Sequence, residues 1–250
     1  MSPRTAAPAV TSAGSLVLVN AAHPLCAPVP QDALCAPFPA FPDICLERTA
    51  ASLLTRLLVD IGAEAAIVPV SGHRTQEAQE GIYAGSLKEN GAAFTRQYVA
   101  LPGCSEHQTG LAIDLALNAP DIDFIRPAFP ESGVCGTFRR RAAAYGFIER
   151  YPAGREHVTG IAHEPWHFRY VGVPHAALMV QNGLTLEEYI PFLRGEKHIC
   201  LVQNNRAFEV WHLAPEDVPC ARAELSQVRP FQLSGDNCGG VILTVWGAAV

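Results

Sequence analysis

The sequence lacks any long apolar run. No stretch approaches the roughly 20 apolar residues that a membrane helix needs. The first apolar run, LVLV, is far shorter than the apolar core of a secretory signal, which takes roughly 7 to 15 residues. Before it, MSPRTAAPAVTSAGS has one Arg among Ala, Pro, Ser and Thr. These absences predict a protein without a membrane span that resides in the cytoplasm.

Charge is also scarce, and positive charge is scattered. Asp, Glu, Lys and Arg make up 17% of the residues, the formal net charge is -6, and the 18 basic residues form no long run. A mildly acidic chain has no general attraction for phosphate backbones, so nucleic acid is excluded as an expected partner. The hydrophobic fraction of 49% is sufficient for a packed core, which argues against global disorder.

The eight cysteines include no CxxC pair. A structural zinc knuckle, which uses such pairs, is therefore not expected. Their even number permits disulfides, but a cytoplasmic protein keeps its thiols reduced. We therefore expect free cysteines, most of them buried as small apolar side chains.

Hydrophobic periodicity predicts an α+β fold. Apolar spacing and end signals predict helices over residues 46–61, 75–87, 134–146, 174–182 and 185–193. β-rich or alternating runs predict strands over residues 15–20 and 65–70 and within 110–118 and 158–172. In the last of these, alternate residues face opposite sides, with Trp166, Phe168 and Tyr170 on one side and His167 and Arg169 on the other.

Three segments are expected along the chain. Residues 1–14 are predicted to be a flexible tail, and residues 15–195 the main domain, a small antiparallel sheet flanked by helices. Short apolar runs separated by turns (HICLV, FEVWHL, VILTVW) predict a short all-β extension over residues 196–250. Composition does not predict the oligomeric state.

The segment SEHQTGLAID (105–114) contains the first part of a candidate metal site. His107 precedes the predicted strand and Asp114 lies within it, as a polar exception in a stretch that is apolar on both faces. A buried carboxylate is costly unless a cation or hydrogen bonds satisfy it. Imidazole nitrogen and carboxylate oxygen are both ordinary zinc ligands, so the pair indicates zinc.

The motif EPWH (164–167) contains the second part. Pro165 disfavours an ordinary helix, so a turn that enters a strand is expected. His167 is then the third ligand, and Glu164 lies beside the metal without binding it. Three protein ligands leave the fourth zinc position for water, as a hydrolytic site requires, and Glu164 is placed to act as general base.

A third element, SGHR (71–74), ends in Arg74 after a Gly turn and before a predicted helix. The fixed charge of Arg and its fork of donors suit an oxyanion or a substrate carboxylate. From its chemistry, Arg74 is therefore a candidate to bind either of these anions.

The joint pattern of SGxR, SxHxxGxAxD and ExWH resembles the metallo D,D-peptidases of glycopeptide resistance, the VanX, VanY and bifunctional VanXY group. The opening LVLVNAAHPL and the segment EPWHFRYVG are especially similar to the VanY/VanXY branch. The resemblance extends over about residues 15–193. At position 73 this chain has His where relatives commonly have Tyr, which puts a contact at the cleft rim in doubt.

This resemblance implies zinc-dependent hydrolysis of D-alanyl-D-alanine termini of peptidoglycan precursors, as a carboxypeptidase, a dipeptidase or both. The implied cofactor is one Zn²⁺ per chain on the ligands already named, with Glu164 as acid/base and Arg74 at the reacting carbonyl. Gln79 and Ser105 match residues that help hold the substrate, which is a D-Ala-D-Ala-terminated peptide or the dipeptide.

Two alternatives remain open from the sequence. One is a zinc peptidase for another cell-wall bond, such as an L-Ala–D-Glu endopeptidase. The other is a non-catalytic module that binds cell-wall precursors and whose metal site is structural. The presence of both Glu164 and Arg74 argues against the second alternative. Loops around residues 88–104 and 119–135 are expected to decide whether the cleft admits a dipeptide or a pentapeptide end.

Overall fold

The computed structural model describes residues 10–225 and 229–249, and the chain divides into two compact units. The larger unit is Val19–Tyr189, and the smaller unit combines Met1–Leu18 with Ile190–Val250. Of the predicted flexible tail, residues 1–9 lie outside the described residues. Within its described part, the carbonyl oxygen of Thr11 accepts a hydrogen bond from the backbone N–H of Asn237. The predicted domain boundary at residues 195 and 196 stays a prediction.

The larger unit combines helices with antiparallel strands, in agreement with the α+β prediction. In chain order its elements are β1 (Leu34–Cys35), β2 (Leu46–Glu47), α1 (Arg48–Asp60), β3 (Ile67–Ser71), α2 (Gln76–Tyr98), β4 (Ala112–Leu117), α3 (Gly133–Ala142), β5 (Phe147–Tyr151), α4 (Glu156–Thr159), β6 (Glu164–Tyr170) and α5 (Val173–Asn182). Helix α6 (Leu186–Glu196) begins in this unit and ends in the smaller one. Short 3-10 turns lie between some of these elements, including one over Glu106–Thr109.

A four-stranded antiparallel sheet, in the order β3-β4-β6-β5, positions the candidate site. Its inner strands β4 and β6 pair so that Asp114 lies directly opposite His167. On the other side of β4, Ser71 of β3 pairs with Asp114. Residues directly opposite in an antiparallel pair have Cβ atoms about 4.5–5.5 Å apart. The register between β4 and β6 therefore brings the side chains of Asp114 and His167 together.

The hydrophobic core joins one face of this sheet to α1 and α3. Helix α1 contributes a buried stripe at helical spacing, formed by Ala50, Ala51, Leu54, Leu57 and Leu58. From β6, the ring of Phe168 contacts Phe129 and Phe138 at centroid distances of 5.3 and 4.9 Å. Burial of each such large side chain is worth about 1.5–3 kcal/mol. The opposite side of β6 presents His167 and Arg169 to the site, so the predicted alternation is confirmed.

The predicted strand over residues 15–20 is wrong. Its apolar residues are buried, but the pairing in this part of the described chain is a single bridge between Asn20 and His23. The backbone N–H of Leu16 donates instead to Ser234 Oγ at 2.9 Å, and that of Leu18 donates to the carbonyl oxygen of Asp236 at 3.1 Å. A β-rich apolar run indicated burial correctly, because burial does not require a paired strand.

Helix α2 is longer than predicted. Thr75 caps it as expected, accepting the backbone N–H of Ala78 at 3.1 Å, but the helix continues to Tyr98 through a break at Gly91, where φ is 80°. Much of the predicted loop around residues 88–104 is therefore helical. Its helical part has no apolar stripe, so hydrophobic periodicity did not predict a helix there.

No helix in the described residues, including α2, has the length and apolar character to span a bilayer.

The smaller unit contains the predicted C-terminal sheet. Its elements are β7 (His198–Gln203), β8 (Arg206–Leu213), α7 (Val218–Leu225), β9 (Phe231–Gly235) and β10 (Val241–Ala249). The strands pair antiparallel in the order β7-β8-β10-β9. The all-β description of this extension is wrong because of α7. That helix carries Pro219 in its first turn, where a missing N–H is tolerated.

The eight cysteines all lie in the described residues and form no disulfide, as predicted. The expectation that most of them are buried is wrong. Cys135 is buried, whereas Cys26, Cys200 and Cys220 are exposed, and the other four are partly exposed. Apolar neighbours in the sequence therefore did not indicate which thiols reach solvent.

His175 of α5 makes folding sensitive to acid. It is buried, its Nδ1 lies 2.8 Å from the hydroxyl of Tyr189, and burial lowers the pKa of His175 to about 3. In the unfolded chain a His has a pKa of about 6.5. Below that pH the unfolded chain gains a proton that the folded chain does not take up until about pH 3. The stability present above pH 6.5 is therefore lost as the pH falls, by up to about tenfold in the folding equilibrium constant per pH unit.

We expect His175→Asn to flatten this dependence. Urea unfolding of both proteins from about pH 7 to about pH 5, with chelator throughout, measures it as the difference between two slopes. The chelator keeps metal binding from contributing to either slope. Parallel pH profiles for the two proteins would show that His175 is not the responsible group.

Candidate metal centre and active-site cavity

His107, Asp114 and His167 converge between the inner strands of the larger unit. One donor atom from each lies within 4.8 Å of the others, and all three residues are buried. Asp114 Oδ1 is 2.8 Å from His167 Nδ1, and Asp114 Oδ2 is 3.2 Å from His107 Nε2. The structure thus brings together the three residues that the sequence predicted as ligands.

The orientation of His107 suits a metal ligand. Its Nδ1 lies 2.7 Å from the carbonyl oxygen of Gly72, which only accepts, so Nδ1 carries the proton and Nε2 faces the cluster with a lone pair. Burial, together with the nearby Arg74, lowers the pKa of His107 to about 4 and keeps it neutral.

The 3-10 turn that contains His107 ends at Gly110, where φ is 69°. A Cβ there would lie 2.8 Å from a leucine methyl carbon, so the turn into β4 requires glycine.

A buried carboxylate lies behind His167. Glu106 Oε2 is 3.8 Å from His167 Nε2, an ion-pair distance that is too long for a hydrogen bond. Glu106 Oε1 is 2.8 Å from Arg150 Nε and 2.9 Å from Arg169 Nη1, and all three side chains are fully buried. Burial opposes ionisation of Glu106, but the two guanidinium groups outweigh it and hold the pKa well below its usual range. The ionised Glu106 therefore places a buried negative charge behind the imidazole of His167.

Sequence reasoning missed this buried ion-pair network. Glu106 is adjacent to His107 in the motif, but its partner Arg150 lies 44 positions further along the chain, on β5. Arg169 was assigned to the correct side of its strand without a partner. Arg150 directly follows Glu149 in the short strand FIERY (147–151), so no isolated polar residue in an apolar run signalled its burial.

Arg74 is held against the cluster by three donated hydrogen bonds. Its Nη2 is 3.2 Å from Asp114 Oδ2, its Nε is 2.9 Å from Ser71 Oγ, and its Nη1 is 3.3 Å from Gln79 Oε1. The guanidinium group also lines the cavity described below. A permanent positive charge is therefore fixed beside the candidate metal ligands.

The two residues predicted to hold substrate occupy different positions. Gln79 is fully buried, and its side-chain nitrogen donates to the carbonyl oxygen of Ala100 at 2.9 Å while its oxygen accepts from Arg74. Both polar ends of Gln79 thus bind protein groups. Ser105 is also buried, but it lines the cavity beside His107.

A cavity of about 430 Å³ opens onto the cluster. Side chains from α2, from the segment that precedes β4, and from β6 line it, and Glu164 is among them. Glu164 Oε2 is 3.7 Å from His167 Nδ1. Burial raises the pKa of Glu164 to about 8. A carboxyl group whose pKa lies near neutrality can both accept and release a proton, as a general acid/base must.

Comparison with known proteins identifies the family. Residues 43–173 match a family model described as VanY, D-alanyl-D-alanine carboxypeptidase. Over 181 residues the chain is 45% identical to the bifunctional D-Ala-D-Ala dipeptidase and D-Ala-D-Ala carboxypeptidase VanXYC of Enterococcus gallinarum, covering 72% of this chain and 95% of that protein. The chain belongs to the VanY family. The resemblance predicted from the three motifs is therefore confirmed.

Solved VanY-family structures agree with this fold. The D,D-dipeptidase VanXYg, in complex with a D-Ala-D-Ala phosphinate analogue, matches with a TM-score of 0.87 and 44% identity over 94% of both chains. Coverage this high includes the C-terminal sheet. A mutant VanY from a VanB-type resistance cassette, in complex with Zn(II), matches with a TM-score of 0.54 and 30% identity, over 70% of this chain and 98% of that one. The predicted α+β fold is confirmed.

Proposed function

We propose that this VanY-family protein hydrolyses D-alanyl-D-alanine termini of peptidoglycan precursors, as a D,D-carboxypeptidase, a D,D-dipeptidase or both. The buried His107–Asp114–His167 cluster carries this proposal, because it opens onto a cavity that also presents Glu164 and Arg74. VanXYC, whose name gives it both activities, supports a dual specificity.

We further propose that one Zn²⁺ per chain is the cofactor. Two imidazoles and one carboxylate are common zinc ligands, and three protein ligands leave a position for water. Burial alone would lower the pKa of His167, but the carboxylate of Asp114 outweighs burial and raises this pKa to about 9. The cluster therefore stabilises a positive charge, here the proton on His167. A divalent cation would supply that charge in place of the proton. When bound, zinc lowers the pKa of a coordinated water and polarises a carbonyl group.

The protein's own groups divide the remaining work. Glu164 takes a proton from the attacking water and delivers it to the amine nitrogen of the leaving D-alanine. Arg74 donates to the oxyanion that develops on the scissile carbonyl, in a buried setting where such donors are most effective. We propose that Gln79 acts through Arg74 as a positioning residue, whereas Ser105 contacts the substrate from the cavity wall.

Substrate profiling tests this function. Release of D-alanine from free D-Ala-D-Ala and from a pentapeptide that ends in D-Ala-D-Ala is expected, with loss of activity under chelation and recovery after zinc is restored. A peptide with an L-Ala–D-Glu bond should remain intact. Cleavage of that bond alone would support the endopeptidase alternative, and bound zinc without any turnover would support the binding module.

Arg74→Lys is expected to reduce kcat by about 10²-fold, because the ammonium group keeps the charge but loses the fork of donors. Zinc content should not change, because Arg74 is not a ligand. Arg56→Lys, at an exposed position on α1, is the matched control and should keep full activity. Full activity of Arg74→Lys would refute the oxyanion role.

A further inference from the structure

Three metal-binding side chains lie together on the C-terminal sheet, outside the active-site cavity. His198 and Cys200 are two positions apart on β7, so both point to one face of the sheet. Glu209 of β8 lies directly opposite Cys200 in the strand register. Donor atoms of the three side chains lie within 4.8 Å of one another, as do those of His107, Asp114 and His167. The sheet backbone therefore brings an imidazole, a thiol and a carboxylate to one point.

The imidazole of His198 is oriented toward the other two groups. Its Nε2 is 3.5 Å from Cys200 Sγ and 3.5 Å from Glu209 Oε2. The ring stacks on Trp211, its partner across the strands, with a centroid distance of 3.6 Å and an interplanar angle of 15°. His198 and Glu209 are one third exposed and Cys200 is exposed, so an ion can reach the site from solvent.

Glu209 is also held in place from its other side. Its Oε1 pairs with Arg229, which leaves Oε2 directed toward His198. Hydrogen-bonding groups that orient a ligating carboxylate are a regular feature of metal sites. Without a cation, a partly exposed pair such as His198 and Glu209 contributes little to stability.

We propose that His198, Cys200 and Glu209 form a second metal site, which binds a divalent cation that favours thiolate, with Zn²⁺ as the preferred ion. Thiolate and imidazole favour Zn²⁺ over Mg²⁺ or Ca²⁺, which prefer oxygen ligands. Binding exchanges the thiol proton of Cys200 for the metal and releases that proton to solvent, so no oxidant or reductant is needed. Three protein ligands leave one position for water or for a further ligand.

Cobalt titration tests the proposal in the full chain under reducing conditions. Co²⁺ bound by a thiolate shows a charge-transfer band in the near ultraviolet. The active-site cluster contains no sulfur, and the residues that line its cavity include no cysteine, so an ion at the active site does not produce the band. We expect each chain to bind two Co²⁺ ions, of which the ion at the second site produces the band. Zn²⁺ should displace both ions.

Variants assign the band to specific residues. Cys200→Ser should bind one equivalent without the band and keep normal D-Ala-D-Ala hydrolysis. His198→Asn and Glu209→Gln should each weaken Co²⁺ binding at the second site by at least about tenfold. Cys220→Ser is the matched control, since Cys220 is an exposed thiol 3.5 Å from Glu224 Oε1 that belongs to no metal-binding cluster in the described residues. Absence of the band in the unmodified protein, or its persistence in Cys200→Ser, would overturn the proposal.

Discussion

Glu164→Gln is expected to reduce kcat for D-Ala-D-Ala hydrolysis by about 10²- to 10⁴-fold, the range for loss of a general acid/base. The amide keeps the size of the side chain but cannot carry a proton between water and the leaving amine. Glu164 lies beside the ligands, with Oε2 3.7 Å from His167 Nδ1, and is not one of the three clustered donors. Zinc content should therefore stay at one ion at the active site.

Parallel measurement of kcat and zinc content distinguishes this role from a structural one. Glu156→Gln is the matched control, because Glu156 is an exposed glutamate of α4 and its loss removes the same charge. That control should keep full activity. Near-normal turnover by Glu164→Gln would refute its role as proton carrier, and loss of zinc would identify Glu164 as a ligand instead.

Asp114→Asn is expected to abolish hydrolysis and to remove the zinc ion at the active site, while the second site keeps its ion. Its carboxylate lies between His107, His167 and Arg74, at 3.2, 2.8 and 3.2 Å respectively. Loss of an outer-shell partner alone typically costs about 10- to 100-fold in metal affinity, so loss of a direct ligand should cost at least about a hundredfold. The amide also presents an N–H donor, which a cation cannot use.

Competition with a chromophoric chelator measures the affinity, and dialysis followed by metal analysis gives the stoichiometry. Asp121→Asn changes an exposed aspartate of the neighbouring loop and should leave both quantities unaltered. The unmodified protein, stripped by chelator, should match the inactivity of Asp114→Asn and recover when zinc is added. Recovery of the variant at stoichiometric zinc would show that Asp114 is not a ligand.

The residues of the candidate site could be predicted because their signals are local. Asp114 is the polar residue in an otherwise apolar strand, and His167 follows Pro165 on a strand with clear alternation. Each of these features concerns a few adjacent positions, where the side-chain period of a strand governs which face a residue occupies. The elements that carry them, β4 and β6, were predicted for the same reason.

Three features were decided by contacts that are distant in the sequence. Glu106 is ionised inside the protein because Arg150 and Arg169 reach it from two other strands. The segment 15–20 is buried without pairing as a strand, because its N–H groups bond to residues near the other end of the chain. The end of α2 has no apolar stripe and was not predicted.

The sequence by itself predicted the three residues of the candidate metal site and the faces on which they lie, and its motifs indicated the family to which the chain belongs. Only the tertiary structure placed His198, Cys200 and Glu209 within reach of one another, because their proximity depends on the register between β7 and β8. It likewise placed the buried carboxylate of Glu106 behind His167. Side-chain periodicity is local to a strand, whereas strand pairing and buried charge depend on how distant segments pack.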